Sequence, residues 1–118
     1  YRGTCPHNQL RELFTQGSIF VLPSIADGFG MVVPQAMACG LPAIITANVG
    51  SADIISEGLT GSVIPIRDLT ALKEKILFYY ENHDITRQMG LMAIDASKTV
   101  NTWHHYGDHL TQFLFSLI

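Results

Sequence analysis

Residues 19–46, IFVLPSIADGFGMVVPQAMACGLPAIIT, read as an apolar strand, a glycine-bearing turn, a short helix and a second apolar strand introduced by proline. This is the crossover that joins neighbouring parallel strands. In open parallel α/β sheets, ligands sit outside the carboxyl ends of the strands, where helix N-termini present unpaired N–H groups and a partial positive charge. Asp27-Gly28-Phe29-Gly30 occupies that place.

The flanking segments extend the same alternation. Leu10, Leu13 and Phe14 have helical spacing in a segment ended by Gly17, and Ile19 to Leu22 form a buried strand closed by Pro23-Ser24. The spacing predicts a helix from about Gly30 to Cys39, with Pro34 near its first turn and Gly40 as its left-handed terminator. Ala43 to Thr46 make the next strand, followed by a Gly50-Ser51 turn, a short helical stretch through Ile55, and Glu57-Gly58. Gly61 to Ile66 is the last strand. Asp68 then caps a helix carrying Leu69, Leu72, Ile76 and Tyr80 on one face. Asp84 starts another helix with Ile85, Met89, Met92 and Ala96. The final helix, capped by Asn101 or Thr102, places Trp103, Tyr106, Leu110, Phe113, Leu114 and Leu117 at helical spacing. Strands alternating with helices predict an α/β fold, a Rossmann-like parallel sheet with helices on both faces. Three strands are too few for a complete doubly wound sheet. The expectation is a single domain over residues 1–118, incomplete at its N-terminus, and a start at Tyr1 fits an excised or processed piece.

Composition narrows the function. Of 118 residues, 47% are hydrophobic and only 14% charged, so part of the apolar surface is expected to belong against a missing partner. The net charge of -3, with no basic stripe, disfavours nucleic acid. Cys5 and Cys39 lack zinc or redox spacing and read as small buried hydrophobes in a reduced, cytoplasmic setting. His105 and His109 share a helix face beside His104, but no third ligand is evident, so a solvated or partly packed face is expected and no metal. The apolar stripe of the last helix lacks the Lys/Arg face of an interfacial helix. It is read as packing, against this domain or a missing one, with peripheral membrane attachment left open. No G-x-G-x-x-G follows a strand, which sets aside dinucleotide binding.

The run LPSIADGFGMVVPQAMACGLPAII resembles the signature of the retaining GT-B glycosyltransferases of glycosyltransferase family 4 (group 1). The later Gly50-Ser51, the E-G-x-T-G turn at Glu57 to Gly61 and the proline before Asp68 also match, so the resemblance covers about Leu10 to Tyr106. It implies the C-terminal, nucleotide-sugar-binding domain of a hexosyltransferase in carbohydrate biosynthesis. It further implies that the amides around Phe29, Gly30, Met31 and Val32 serve sugar and phosphate. By the same resemblance Asp27 holds sugar hydroxyls as the catalytic-site carboxylate, and Gln35 holds the ribose diol. The family's diphosphate-gripping Arg/Lys pair and its acceptor domain have no counterpart here. Arg2 and Arg11 are the only cations before the motif and lack that context. The fragment alone is therefore expected to be inactive, working only within a longer chain.

Physical chemistry supports the same site. Glycines at 28 and 30 permit positive φ and let backbone approach a ligand closely, and a helix entry favours negative charge. A sugar diphosphate suits that. Two positions depart from the family, however. Asp27 stands where it has glutamate, withdrawing the carboxylate by one bond, about 1.5 Å. Gln35 stands in place of a second glutamate and loses charge-assisted hydrogen bonds to ribose, on the order of 1 kcal/mol.

Blander roles compete at each position. Asp27 could cap a turn, Gln35 could be a plain exposed helical residue, Ser24 reads as structural, and Gly50-Ser51 either bounds the base side of the cleft or is a simple loop. Three function classes follow: the donor part of a hexosyltransferase, an inactive nucleotide- or sugar-binding relative, or an interaction domain. The expected partners are a UDP-, GDP- or ADP-hexose, as substrate and with no cofactor, and the missing acceptor domain. A bare sheet edge would also allow a homodimer of the fragment.

Overall fold

The computed structural model describes residues 3–100 and 103–118, and side chains within 3–99 and 107–118. Tyr1, Arg2, the cap at Asn101 or Thr102, and the side chains of Trp103, His104, His105 and Tyr106 lie outside the described residues.

The elements run α1 (Leu10–Thr15), β1 (Phe20–Leu22), α2 (Val32–Ala38), β2 (Ala43–Thr46), β3 (Gly61–Ile64), α3 (Leu69–Glu81), α4 (His83–Val100) and α5 (Trp103–Ser116). Short 3-10 turns occupy His7–Gln9 and Gly50–Ile54. The strands form one parallel sheet in the order β1-β2-β3, with Leu22 opposite Ile45 and Ile45 opposite Val63. The predicted α/β class and parallel sheet are therefore observed. The strands at 19–22 and 61–66 and the helix at 30–39 are each shorter than expected.

Because strand side chains alternate, the sheet builds a core on each face. Phe20, Leu22, Ala43, Ile45 and Val63 pack with Val33 and Met37 of α2 and Ala93 of α4. On the other face, Val21, Ile44 and Ile64 pack with Ala71, Leu72 and Tyr79 of α3 and Met89 of α4. The central strand β2 is buried at every position, the signature of a strand covered on both sides. Its four residues tie both cores together.

The helix faces differ from expectation. On α3, Leu69 and Tyr80 are 76% and 70% exposed, while Tyr79 is buried and its hydroxyl lies 3.1 Å from Ser62 Oγ of β3. That buried hydroxyl pair fixes the rotation of the helix, since either group left alone would carry an unsatisfied polar atom. Burial pushes the Tyr79 phenol above its usual range. On α4, Ile85 and Met92 are exposed, whereas Thr86, Met89, Gly90 and Ala93 are buried. Gly90 sets this face: a Cβ there would meet Gly40 O at 2.2 Å, so the turn after α2 rests directly on the α4 backbone. Thr86 Oγ1 donates to Tyr79 O at 2.9 Å and joins α3 to α4.

Two expected helix ends are observed. The Asp68 carboxylate accepts from Ala71 N at 2.8 Å, the N-cap bond predicted for α3. Gly40, at φ +84°, ends α2. Cys5 and Cys39 are free and half-buried rather than buried. Leu110, Phe113 and Leu114 of α5, and Leu117 just after it, are exposed, so within the described side chains the stripe is not packed against this domain. Among the described residues, no helix is long and apolar enough to cross a membrane.

Glu57 clamps β3 to α3. Its carboxylate accepts from Val63 N at 2.8 Å and from Lys75 Nζ at 2.7 Å. Burial raises its pKa, but the Lys75 and Val63 hydrogen bonds outweigh this and hold it below the ordinary 4.5. A depressed carboxylate stabilises the fold above its unfolded pKa and loses that contribution as pH falls through the folded one. Glu57→Gln is thus expected to cost less than about 1 kcal/mol at pH 7, the pair being solvent-screened. The cost should begin to shrink as pH falls below 4.5 and go on falling through the lowered folded pKa, measured by urea unfolding of both proteins across pH 3–8. A difference undiminished at pH 3 would show that the carboxylate's charge is irrelevant.

Candidate functional site

The loop after β1 and the loop after β2 leave the sheet side by side at its carboxyl end, and the chain laces them together. Asp27 N donates to Asn48 O at 3.2 Å, and Asp27 and Val49 form an isolated parallel bridge. Gly50 N then donates to Gly28 O at 3.0 Å and Ser51 N to Phe29 O at 2.8 Å. Gly30 O is taken by Val33 N at 2.9 Å as α2 begins. The carbonyls at 28, 29 and 30 are all engaged. The amides of Gly28, Phe29, Gly30, Met31 and Val32, by contrast, find no acceptor among the described residues.

Glycine is required in this lacing for two separate reasons. Gly30 has φ +71°, and a Cβ there would press on Val49 Cγ1 at 2.8 Å. Gly50 must let the strands' loops touch, since its Cβ would fall 2.1 Å from Gly28 O. Gly28 is different from both: its φ is not positive, correcting the expectation, and nothing lies within 4 Å of its Cβ position. A side chain at 28 would project into open space on the loop.

Each predicted site residue can now be placed. Asp27 is exposed on the loop, Phe29 and Met31 are 37% and 56% exposed, Gly30 is buried and Val32 is half-buried. Residues 27–32 therefore form one loop, exposed at 27, 28, 29 and 31 around a buried Gly30. Gln35 belongs to another neighbourhood. It is half-buried on the second turn of α2, with Nε2 3.4 Å from Nε2 of His7. It lines a cleft of about 510 Å³ with His7, Arg11, Phe14 and Cys39, between α1 and α2. Ser24 serves structure, its carbonyl accepting from the buried Thr46 hydroxyl.

Two residues escaped the sequence reading. His7 reaches Gln35 across 28 positions, with no local signal. Ser51 was read as cleft wall or loop, but it is fully buried beneath Gly30, whose Cβ position lies 3.3 Å from Ser51 Oγ. The signal was Gly30 itself, a glycine that needs something small below it. No group of three or more His, Cys, Asp or Glu among the described residues could hold a metal.

A surface of unpaired amides with its carbonyls tied down can bind anionic or hydroxyl oxygens without paying to reorganise. Comparison with known proteins bears on which. Residues 1–94 match the family model described as glycosyl transferases group 1. An uncharacterised glycosyltransferase of Methanocaldococcus jannaschii is 36% identical over 96 residues, 81% of this chain and 27% of that protein. Sucrose synthase of Beta vulgaris is 41% identical over 103 residues, 85% of this chain and 13% of that one. The structure is similar to sucrose-phosphate synthase from Thermosynechococcus elongatus, with a TM-score of 0.84 and 26% identity over 98% of this chain and 29% of that one. The chain spans about a quarter of the length of the first curated relatives it matches.

The lacing predicts opposite responses at two glycines. Gly50→Ala must displace the loop at 28–29 and is expected to cost about 1–3 kcal/mol. Gly28→Ala meets no atom and should change stability by less than about 1 kcal/mol, in the stabilising direction, because the unfolded chain loses freedom. Urea denaturation of the two variants reads both, and equal costs would refute the lacing.

Proposed function

The chain belongs to the glycosyl transferases group 1 family, and from that membership we propose that it forms the donor-binding part of an enzyme transferring a hexose from a UDP-, GDP- or ADP-hexose with retention of configuration. The observation that carries this reading is the run of amides at Gly28 to Val32 without acceptors, above carbonyls that are already bonded. A nucleotide diphosphate leaving group gains negative charge as the glycosidic bond breaks. Amides fixed in advance stabilise that charge more in the transition state than in the ground state.

The residues divide the work by position. The amides from Phe29 to Val32 take phosphate and sugar oxygens. The exposed Asp27 carboxylate accepts hydrogen bonds from sugar hydroxyls beside the reacting carbon. Gln35, about one turn into α2, accepts from the ribose diol. With its amide nitrogen turned towards His7, Gln35 keeps Oε1 for that purpose. The reaction is a front-face displacement in which the departing phosphate assists the incoming acceptor, supplied by the rest of the longer protein. No cofactor or metal is invoked.

A second reading follows from the same contact. The neutral Gln35 amide, already engaged with His7, offers ribose a weaker grip than a carboxylate would, which suits a binding-only relative. Turnover of a nucleotide sugar by the full-length protein separates the two.

Calorimetric titration of that full-length protein with UDP, GDP, ADP and their glucose forms tests the donor site and identifies the base. Gly28→Val, whose side chain meets no protein atom but adds bulk to the amide-bearing loop, is expected to weaken binding at least tenfold while leaving thermal stability near that of the parent. Gln35→Glu should tighten binding about fivefold, the equivalent of roughly 1 kcal/mol. A protein that binds none of these nucleotides has no donor site, and an interaction role would remain.

A further inference from the structure

Ser51 has a polar atom that the fold does not satisfy. Its hydroxyl is fully buried and, among the described residues, is the buried side-chain oxygen left without a hydrogen-bond partner. Buried hydroxyls are almost always paired, because an unpaired one forfeits its bonds to water. An alanine at this position would avoid that loss. A hydroxyl kept at such a position calls for a partner that the free fold does not supply.

Its position identifies that partner. Ser51 lies directly beneath Gly30, and its own backbone N–H holds Phe29 O at 2.8 Å. The neighbouring carbonyls of Gly28, Phe29 and Gly30 each accept one bond, from Gly50 N, Ser51 N and Val33 N. A carbonyl oxygen has a second lone pair, so each could accept from the hydroxyl once brought within reach. The upper side of the same peptide units carries the amides that face outward. A ligand held by those amides need only tilt the peptide units slightly within the lacing to bring one of their carbonyls, already turned towards the 49–51 segment, into reach of the Ser51 hydroxyl.

We infer that Ser51 is a positioning residue of the donor site: its hydroxyl gains its hydrogen bond to a carbonyl of the 28–30 loop only when the loop is drawn onto a nucleotide sugar. This rests on the donor-site reading above and adds a residue that touches no substrate. A ligand shifts a conformational equilibrium only by its differential interaction with the two states, and the Ser51 bond is such a difference. It lowers the stability of the free protein and strengthens the bound one.

The consequence is an unusual pair of signs. In the full-length protein, Ser51→Ala is expected to raise the melting temperature of the free form by about 2–4 °C, since the unpaired hydroxyl is gone. The same variant is expected to bind the nucleoside diphosphate preferred by the parent about three- to tenfold more weakly. A packing residue would move stability without moving affinity, and a ligand-contacting residue would move affinity without raising stability. The experiment is a thermal melt and a calorimetric titration of parent and variant in the same buffer. A lower melting temperature for Ser51→Ala would mean that the hydroxyl is already paired in the free protein, by water, and would overturn the inference. Unchanged affinity in the variant, with normal binding by the parent, would overturn it while leaving the donor site intact. Absence of binding by the parent would overturn both.

Discussion

Everything at the carboxyl end of this sheet depends on one close contact, where Gly50 lies against the carbonyl of Gly28 with no room for a methyl group between them. Through that contact the loop after β2 captures the carbonyls of the loop after β1. Capture fixes the direction of each peptide unit: a carbonyl held inward sends its neighbouring amides outward. The amide-rich surface is therefore a product of backbone lacing, and it needs no side chain except the absence of one at 30 and 50. Such a surface needs no cationic side chain, in a chain whose net charge is -3.

The lacing in turn depends on β2. Its four residues alternate between two cores, with Ala43 and Ile45 facing α2 and Ile44 facing α3, so the strand can move only if both cores move. The helix α4 closes the arrangement from outside by contributing Ala93 to one core and Met89 to the other. Gly90, between them in sequence, seats α4 on the turn that follows α2. The site is consequently carried on the most constrained part of the chain, while the exposed apolar side chains of α5 lie on its periphery.

The sequence showed the order of elements because glycine and proline mark the turns unambiguously, and it showed the loop at 27–32 because strand, glycines and helix entry adjoin there. What it concealed was mainly rotation. On α3 the apolar count favours the face with Leu69, Ile76 and Tyr80, yet the structure turns Tyr79 inward because Ser62 on β3 offers its hydroxyl a partner. On α4 the small residues Gly90, Ala93 and Ser97 recur at helical spacing and mark the packed face better than the larger Ile85 and Met92 do. Periodicity of large apolar residues is a weak guide when a helix must approach backbone. The contacts His7 to Gln35 and Ser51 to Gly30 were out of reach for a simpler reason: both join segments that only the tertiary fold brings together.

The two acidic-to-altered positions now have different physical meanings. Asp27 sits on the laced loop, whose backbone is held by Asn48 and Gly50, so the loop cannot slide forward to restore the reach lost with one methylene. Gln35 is not on that loop, and its partner is a histidine. A glutamate there would accept a hydrogen bond from the ring, whereas glutamine donates to the ring nitrogen and leaves its oxygen unpaired. With glutamine the contact is neutral and has a defined polarity, the amide nitrogen lying towards the His7 ring.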